Sequence, residues 1–106
     1  EAAACGLPVV ATAWSGHVDF LGDRYSPVQY QLDHVHPSRV DGRIFVKGAR
    51  WASPNEQDFK RRVRDIIADR GEAKRRAALL REDVMASHSP AAITAVYDAV
   101  LGGYLT

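Results

Sequence analysis

The stretch EAAACGLPVVAT, residues 1–12, decides the fold of this chain. Its opening alanine-rich run favours a helix, because alanine loses no side-chain entropy on becoming helical. Gly6 suits the left-handed backbone that ends a helix, and Pro8 prevents the helix from continuing. Because residues 1–5 are too few for a helix that is stable alone, we expect its beginning to lie upstream of Glu1 in a longer chain.

The run that follows, residues 8–13, is short, apolar on both alternating faces and bounded by chain-breaking residues. This pattern is typical of a parallel strand that is covered on both faces in an α/β sheet. A helix followed by such a strand is half of a β-α-β unit. Ser15 and Gly16 then mark a loop at the C-terminal end of the strand, where ligands bind in open α/β sheets.

A second strand is predicted over residues 25–32, where apolar residues alternate with Gln29 and Gln31. Such alternation is typical of a strand that is half-buried or at the edge of a sheet. Residues 33–52 are irregular in pattern, and residues 44–46 predict a further short strand within them.

The predicted sheet has too few strands to cover its first one. A two-stranded sheet is marginal alone, and an open apolar edge recruits other chains. We therefore expect self-association that buries Val9, Val10 and their neighbours against a second copy, or else a place in a larger assembly.

Residues 53–106 predict about three C-terminal helices, whereas residues 1–52 form the α/β part of a single partial domain. Ser53 and Pro54 suit the cap and first position of a helix, and Glu56 completes a capping box. Gly71 is expected to close that helix. A second helix follows over about 72–86, with an apolar stripe of Ala73, Ala77, Leu80 and Val84, and the third opens at Ser89 and Pro90.

Composition places the chain among small globular proteins. Its 106 residues allow one domain, and 46% hydrophobic with 25% charged residues argue against disorder. A net charge of +1 creates no overall field to attract nucleic acid or an anionic membrane. No apolar run approaches the roughly 20 residues of a membrane span. The single cysteine, Cys5, excludes an internal disulfide, and a cytoplasmic location is the simplest interpretation.

Three further patterns each allow a functional interpretation and an ordinary one. Most basic residues lie between 60 and 81, but acids are interspersed at helical pairing distances, so a solvated face is favoured over nucleic-acid binding. His34 and His36 are two residues apart, so on a strand they would lie on the same face. No third ligand follows at a metal-site spacing, so no metal is expected. Trp14 and Trp51 suit core or rim packing, although each could flank a sugar or a base.

Residues 1–12 closely resemble a stretch of the retaining, nucleotide-sugar-dependent glycosyltransferases of the GT-B fold, of the family 4 type. Those enzymes typically have EAxAxGxPV(V/I)AT at this place. The segments Trp51–Asn55 and His88–Pro90 resemble later helix starts of the same family. The resemblance implies that this chain is the last part of a C-terminal, donor-binding, Rossmann-like domain.

The resemblance also implies a role for particular residues. Glu1 is similar to the family's second conserved glutamate, which hydrogen-bonds the ribose hydroxyls of the nucleotide. Ser15 and Gly16 fall in the small-residue loop that lines the donor cleft. The family's other glutamate, its diphosphate-binding Arg and Lys and its acceptor domain would all lie upstream, so no catalytic residue and no cofactor is assigned here. The nucleotide-sugar donor is the expected partner of the full-length protein.

A different class of function stays open at this point. A truncated Rossmann-like unit could be a non-catalytic interaction or dimerisation module. Upstream sequence with a glycine-rich turn and a second glutamate would decide for the enzyme.

Overall fold

The computed structural model describes residues 1–105, and it begins with a single helical turn. The backbone N–H of Gly6 donates to the Ala3 carbonyl at 3.0 Å, and that of Leu7 donates to the Ala2 carbonyl at 3.1 Å. This pair of bonds is the Schellman arrangement, in which a left-handed residue follows the last helical turn. Gly6 is that residue, with φ of +72°, so the prediction that it ends a helical segment is confirmed.

The chain then alternates strands and helices before it becomes wholly helical. The elements are β1 (Val10–Thr12), α1 (His17–Leu21), β2 (Ser26–Val28), β3 (Tyr30–His34), a 3-10 turn (Pro37–Arg39), β4 (Arg50–Pro54), α2 (Glu56–Ala68), α3 (Arg70–His88) and α4 (Pro90–Leu105). This mixed α/β order, with α2, α3 and α4 at its end, agrees with the predicted class. Thr106, the last residue of the predicted helical part, lies outside the described residues.

The predicted parallel strand is present, and its partner is the second strand. β1 pairs with β2 in parallel, with Val10 opposite Ser26 and Thr12 opposite Val28. The predicted strand over 25–32 is wrong in its continuity, because β2 ends at Val28 and β3 begins at Tyr30. β3 pairs instead with β4 in an antiparallel register.

Two predictions for the region between β3 and α2 are wrong. Residues 44–46 form no strand, because the Asp41 carboxylate accepts the backbone N–H groups of Arg43, Ile44 and Phe45 at 2.8–3.0 Å. Those donors are therefore unavailable to a strand partner. β4, in contrast, lies at the end of the stretch that was expected to be irregular.

Helix α2 begins two residues later than predicted. Ser53 and Pro54 are the last residues of β4, so neither caps the helix. Asn55 is the cap, and its side chain accepts the backbone N–H of Asp58 at 2.9 Å. Asparagine is as good an N-cap as serine, and here the strand pairing of Ser53 decides between them.

The boundary between α2 and α3 also differs from the prediction. Gly71 lies inside α3 rather than after α2. The break falls at Asp69, whose carboxylate accepts the backbone N–H of Glu72 at 3.0 Å and so caps α3. The predicted start of the last helix at Pro90 is confirmed.

The core joins the N-terminal turn to α3. Ala3, Leu21, Tyr25 and Leu80 are buried together, with Val9, Ala11 and Val84 packed against them. The predicted stripe of α3 therefore faces the core. No helix among residues 1–105 combines the length and apolar character needed to cross a bilayer.

Arginines of α3 hold the segments that precede β1 and β2. Arg81 Nε donates to the Ala4 carbonyl at 2.9 Å, which satisfies an acceptor at the end of the N-terminal turn. Arg76 Nη2 donates to the Tyr25 carbonyl at 3.1 Å, just before β2. Part of the basic run thus orders the backbone of the α/β part.

We expect Gly6→Ala to destabilise the chain, because alanine in the left-handed region costs about 1 kcal/mol. The melting temperature should fall by roughly 4–8 °C in thermal unfolding followed by circular dichroism. Gly102→Ala is the control, because Gly102 lies within α4 and a Cβ there meets nothing within 4 Å. That change should leave the melting temperature unchanged or raise it. Equal shifts in both variants would refute the capping role of Gly6.

Candidate functional site

The parallel pair creates one edge at which both strands end. After β1, the Ala13 backbone N–H donates to the Val28 carbonyl at 3.0 Å, which extends the ladder by one bond. The chain then leaves β1 through residues 14–17 and leaves β2 through Gln29. We call this place, formed by residues 13–17 with Gln29 and Tyr30, the carboxyl edge. In open α/β sheets, ligands bind beyond such an edge.

The loop predicted at Ser15 and Gly16 lies at the carboxyl edge. Ser15 has a backbone φ of +84°, in the left-handed region that residues with a side chain seldom adopt. Its carbonyl accepts the backbone N–H of Val18 at 3.1 Å, which starts α1. Both Ser15 and Gly16 are exposed. Strained non-glycine residues of this kind concentrate at binding sites and clamps, so Ser15 is a candidate with an independent structural signal.

Aromatic side chains border this loop. The rings of Trp14 and Tyr30 lie 6.3 Å apart at an angle of 46°, which joins the end of β1 to the start of β3. His17 Nε2 lies 2.5 Å from the Thr12 carbonyl oxygen, at the last residue of β1. Sequence reasoning assigned no site role to His17 or Tyr30. His17 follows the predicted strand over 8–13 at the ligand-binding end, whereas Tyr30 lies within the predicted strand over 25–32 and carried no such signal.

The first turn of α2 holds Gln29 by both backbone groups. The Gln29 N–H donates to Asp58 Oδ2 at 2.8 Å, and the Gln29 carbonyl accepts the Asn55 N–H at 2.7 Å. Arg61 donates to the other oxygen of Asp58, whose side chain is only 6% exposed. Because both Gln29 groups point to α2, the strand breaks here and the chain turns from β2 into β3. The sequence pattern did not reveal this buried carboxylate.

The charge of Asp58 depends on its donors. The Gln29 N–H lowers the pKa of the Asp58 carboxyl below its ordinary value, and the hydrogen bond from the Arg61 guanidinium lowers it further. Arg62 adds to the effect from 3.6 Å. Asp58 is therefore ionised at neutral pH. It is suited to holding the turn from β2 into β3 at Gln29, which we call the Asp58 corner, and unsuited to acting as a general acid.

Glu1 is exposed at the start of the N-terminal turn. Its carbonyl accepts the Cys5 N–H at 3.0 Å, and within residues 1–105 no hydrogen bond joins its carboxylate to Ser15 or Gly16. Cys5 is exposed as well. Of the predicted site residues, the structure thus unites Ser15 and Gly16 in one loop and leaves Glu1 as a separate surface carboxylate.

An open apolar pocket of about 370 Å³ lies beside β1. Its walls include all three residues of β1, together with Val28 and Phe59, whose side chain is 46% exposed. Such a lining suits apolar side chains rather than a sugar nucleotide. In the described part of the chain, no three His, Cys, Asp or Glu side chains converge on a point that could hold a metal ion.

Comparisons with known proteins give one positive result. A family model described as "Family 4 Glycosyltransferase in conflict systems" matches residues 1–96, which include the carboxyl edge and the Asp58 corner. No curated protein matches the chain. No solved structure matches it either.

We expect Asp58→Asn to destabilise the chain at neutral pH, lowering the melting temperature by roughly 5–10 °C through loss of charge-assisted hydrogen bonds. Because the folded-state pKa of Asp58 is lowered, its stabilisation is present above the unfolded-state pKa of about 3.9 and is lost as pH falls through the folded value. The gap between wild type and variant should therefore close below about pH 4.

The matched control is Asp98→Asn, which removes an exposed carboxylate of α4. Its melting temperature should follow the wild type at every pH. A gap for Asp58→Asn that stays constant into the acid range would show that the ionised carboxylate does not hold the corner.

Proposed function

This chain belongs to the family 4 glycosyltransferases of conflict systems, and from that membership we propose that it serves sugar transfer from a nucleotide-sugar donor to an acceptor. We further propose that the enzyme is a retaining transferase of the GT-B type. This chain would form the last part of its donor-binding, Rossmann-like domain, with residues 1–52 as the α/β portion and 53–106 as the helical portion.

One observation carries the assignment of this chain to the donor-binding side. The turn that Gly6 closes leads directly into the parallel strand β1, and β1 ends at the strained loop of Ser15. This is the arrangement in which open α/β sheets bind nucleotides beyond their strand ends. The glycosyltransferase motif, residues 1–12, therefore continues directly into residues 13–17 of the carboxyl edge.

Glu1, Ser15 and Gly16 are the residues proposed to contact the donor. The exposed carboxylate of Glu1 is free to accept hydrogen bonds from ribose hydroxyls, and charged acceptors make such bonds stronger. Ser15 and Gly16 would line the cleft, where the loop allows close approach. Stabilisation of an oxocarbenium-like transition state and of the diphosphate leaving group is assigned to groups elsewhere in the enzyme.

The rival proposal, a non-catalytic interaction module, has less support, because the family match spans residues 1–96. Self-association is nonetheless compatible with the enzyme. A cytoplasmic location stays part of the proposal, as does the absence of nucleic acid among the partners.

In the full-length enzyme, Glu1→Ala should raise KM for the donor roughly ten- to a hundredfold with a smaller change in kcat. The ribose is remote from the reacting carbon, so its contact contributes mainly uniform binding, and a charged hydrogen bond is worth about 1.5–3 kcal/mol. Steady-state kinetics with varied donor concentration would measure both constants. The 106-residue chain by itself should turn over no nucleotide sugar.

The control for this experiment is Glu82→Ala, which removes an exposed carboxylate of α3 and should leave both constants unchanged. An unchanged KM for Glu1→Ala would remove Glu1 from the donor site. Turnover by the 106-residue chain would contradict its place as one part of the catalytic unit.

The chain should self-associate at micromolar concentration through the open edge of β1. Val9 and Val10 are only half-buried, and the apolar pocket beside β1 is open. A second copy on this edge would pair the strand and cover the pocket. Sedimentation velocity should show a dimer or larger species, and Phe59→Lys, at the pocket wall, should return the chain to a monomer.

Val40→Lys is the control for charge alone, because Val40 is a comparably exposed apolar residue away from β1. This variant should associate as the wild type does. A wild type that sediments as a folded monomer would disprove association at this edge.

A further inference from the structure

Strands β3 and β4 carry a long exposed loop between them. We call residues 30–54 the β3–β4 arm, and residues 35–49 its loop. The strands pair from Tyr30 opposite Pro54 to His34 opposite Arg50, so the loop lies at the far end of the pair from the carboxyl edge. Every residue from 36 to 48 except Phe45 is exposed. The loop therefore presents a surface of its own.

The loop is held in shape by its own contacts. The Asp41 carboxylate accepts three successive backbone N–H groups, and Asp41 N–H donates to the Phe45 carbonyl at 3.0 Å. Gly42 and Gly48 adopt the left-handed backbone at φ of +73° and +86°. At the base, Val35 is buried and its N–H donates to the Ala49 carbonyl. A loop built in this way has a defined backbone shape.

The exposed apolar side chains of the loop are aliphatic. Ile44 is 79% exposed, Val46 is 50% exposed and Val40 is 37% exposed. Phe45 is turned inward, and its ring meets Trp51 edge-on at 5.7 Å. The aromatic surface that would stack on a nucleic-acid base is thus occupied within the arm, whereas branched aliphatic groups face outward.

Cations flank these aliphatic residues in the sequence. Arg39, Arg43, Lys47 and Arg50 lie in or beside the loop, and none of them forms an ion pair within residues 1–105. The acid among residues 36–50 is Asp41, whose carboxylate is already engaged by the backbone. On α2 and α3, in contrast, Lys60, Arg61 and Arg75 pair with carboxylates. Within residues 36–50, four cations therefore face one engaged carboxylate, although the whole chain is nearly neutral.

We propose that the loop of the β3–β4 arm docks on an anionic membrane surface. Ile44 and Val46 enter the interface between headgroups and acyl chains, while Arg39, Arg43 and Lys47 contact the anionic headgroups. Exposed aliphatic groups beside free cations are the combination by which peripheral proteins bind anionic bilayers. This inference is independent of the donor chemistry proposed above.

Flotation with lipid vesicles tests the proposal. The chain should float with vesicles of phosphatidylcholine containing phosphatidylserine and should remain unbound with phosphatidylcholine alone. Each cation near the surface contributes about a fivefold gain in affinity, so removing three should weaken binding roughly a hundredfold. The charge variant is Arg39→Gln with Arg43→Gln and Lys47→Gln.

The matched control removes three unpaired cations outside the arm. Arg64, Arg70 and Lys74 are exposed on α2 and α3 and form no ion pair in the described chain. The triple glutamine variant at these positions has the same net charge as the arm variant. It should retain at least a third of the wild-type affinity.

A second variant separates insertion from charge. Ile44→Ser with Val46→Ser keeps every cation and should weaken vesicle binding roughly tenfold, because it removes the apolar area that enters the bilayer. The melting temperature of each variant should match the wild type, since the changed side chains are exposed.

Three outcomes would overturn the proposal. The first is no binding to the anionic vesicles. The second is equal loss of affinity in the arm and control triple variants. The third is tight binding of a 20-base-pair DNA duplex that survives Ile44→Ser with Val46→Ser while vesicle binding is weak, because this would assign the cations to nucleic acid.

Discussion

The buried carboxylate of Asp58 fixes the point at which the chain turns from the parallel pair into the β3–β4 arm. A charge removed from water is costly unless it is fully paired, and Asp58 is satisfied by the Gln29 N–H and by Arg61. Together with the bond from the Asn55 N–H to the Gln29 carbonyl, the bond to Asp58 ends β2 and turns the chain into β3. The junction between the parallel pair and the antiparallel arm therefore depends on two contacts between the start of α2 and the backbone of Gln29.

Local signals made the start of the fold predictable from the sequence, and long-range contacts made the middle unpredictable. Gly6 and Pro8 end the N-terminal turn through their own backbone preferences. The helical spacing of Ala77 and Leu80 indicates the buried face of α3. The break at Gln29 instead depends on a partner 29 residues away. No periodicity within residues 25–32 distinguishes one strand from two that are separated in this way.

The candidate site also has parts that local sequence predicts and parts that depend on long-range contacts. The loop of Ser15 and Gly16 could be located from the end of an apolar strand, because topology places ligand loops there. The contact of Trp14 with Tyr30 could not be located in this way, because it joins the loop after β1 to a strand of the other sheet. Glu1 was found through resemblance to a family rather than through any pattern of its own. Its environment in the folded chain is that of an exposed carboxylate.

Strand β3 links the carboxyl edge to the arm loop. Tyr30 packs on Trp14 at the edge and is also the first residue of β3, which runs to the loop at the far end of the arm. A strand of 5 residues spans about 17 Å, so a surface held by the loop lies within a few nanometres of the edge. If the edge receives the sugar donor and the loop rests on a membrane, transfer takes place close to the lipid headgroups. The two proposals together therefore favour an acceptor that is presented at the membrane surface over one that diffuses freely.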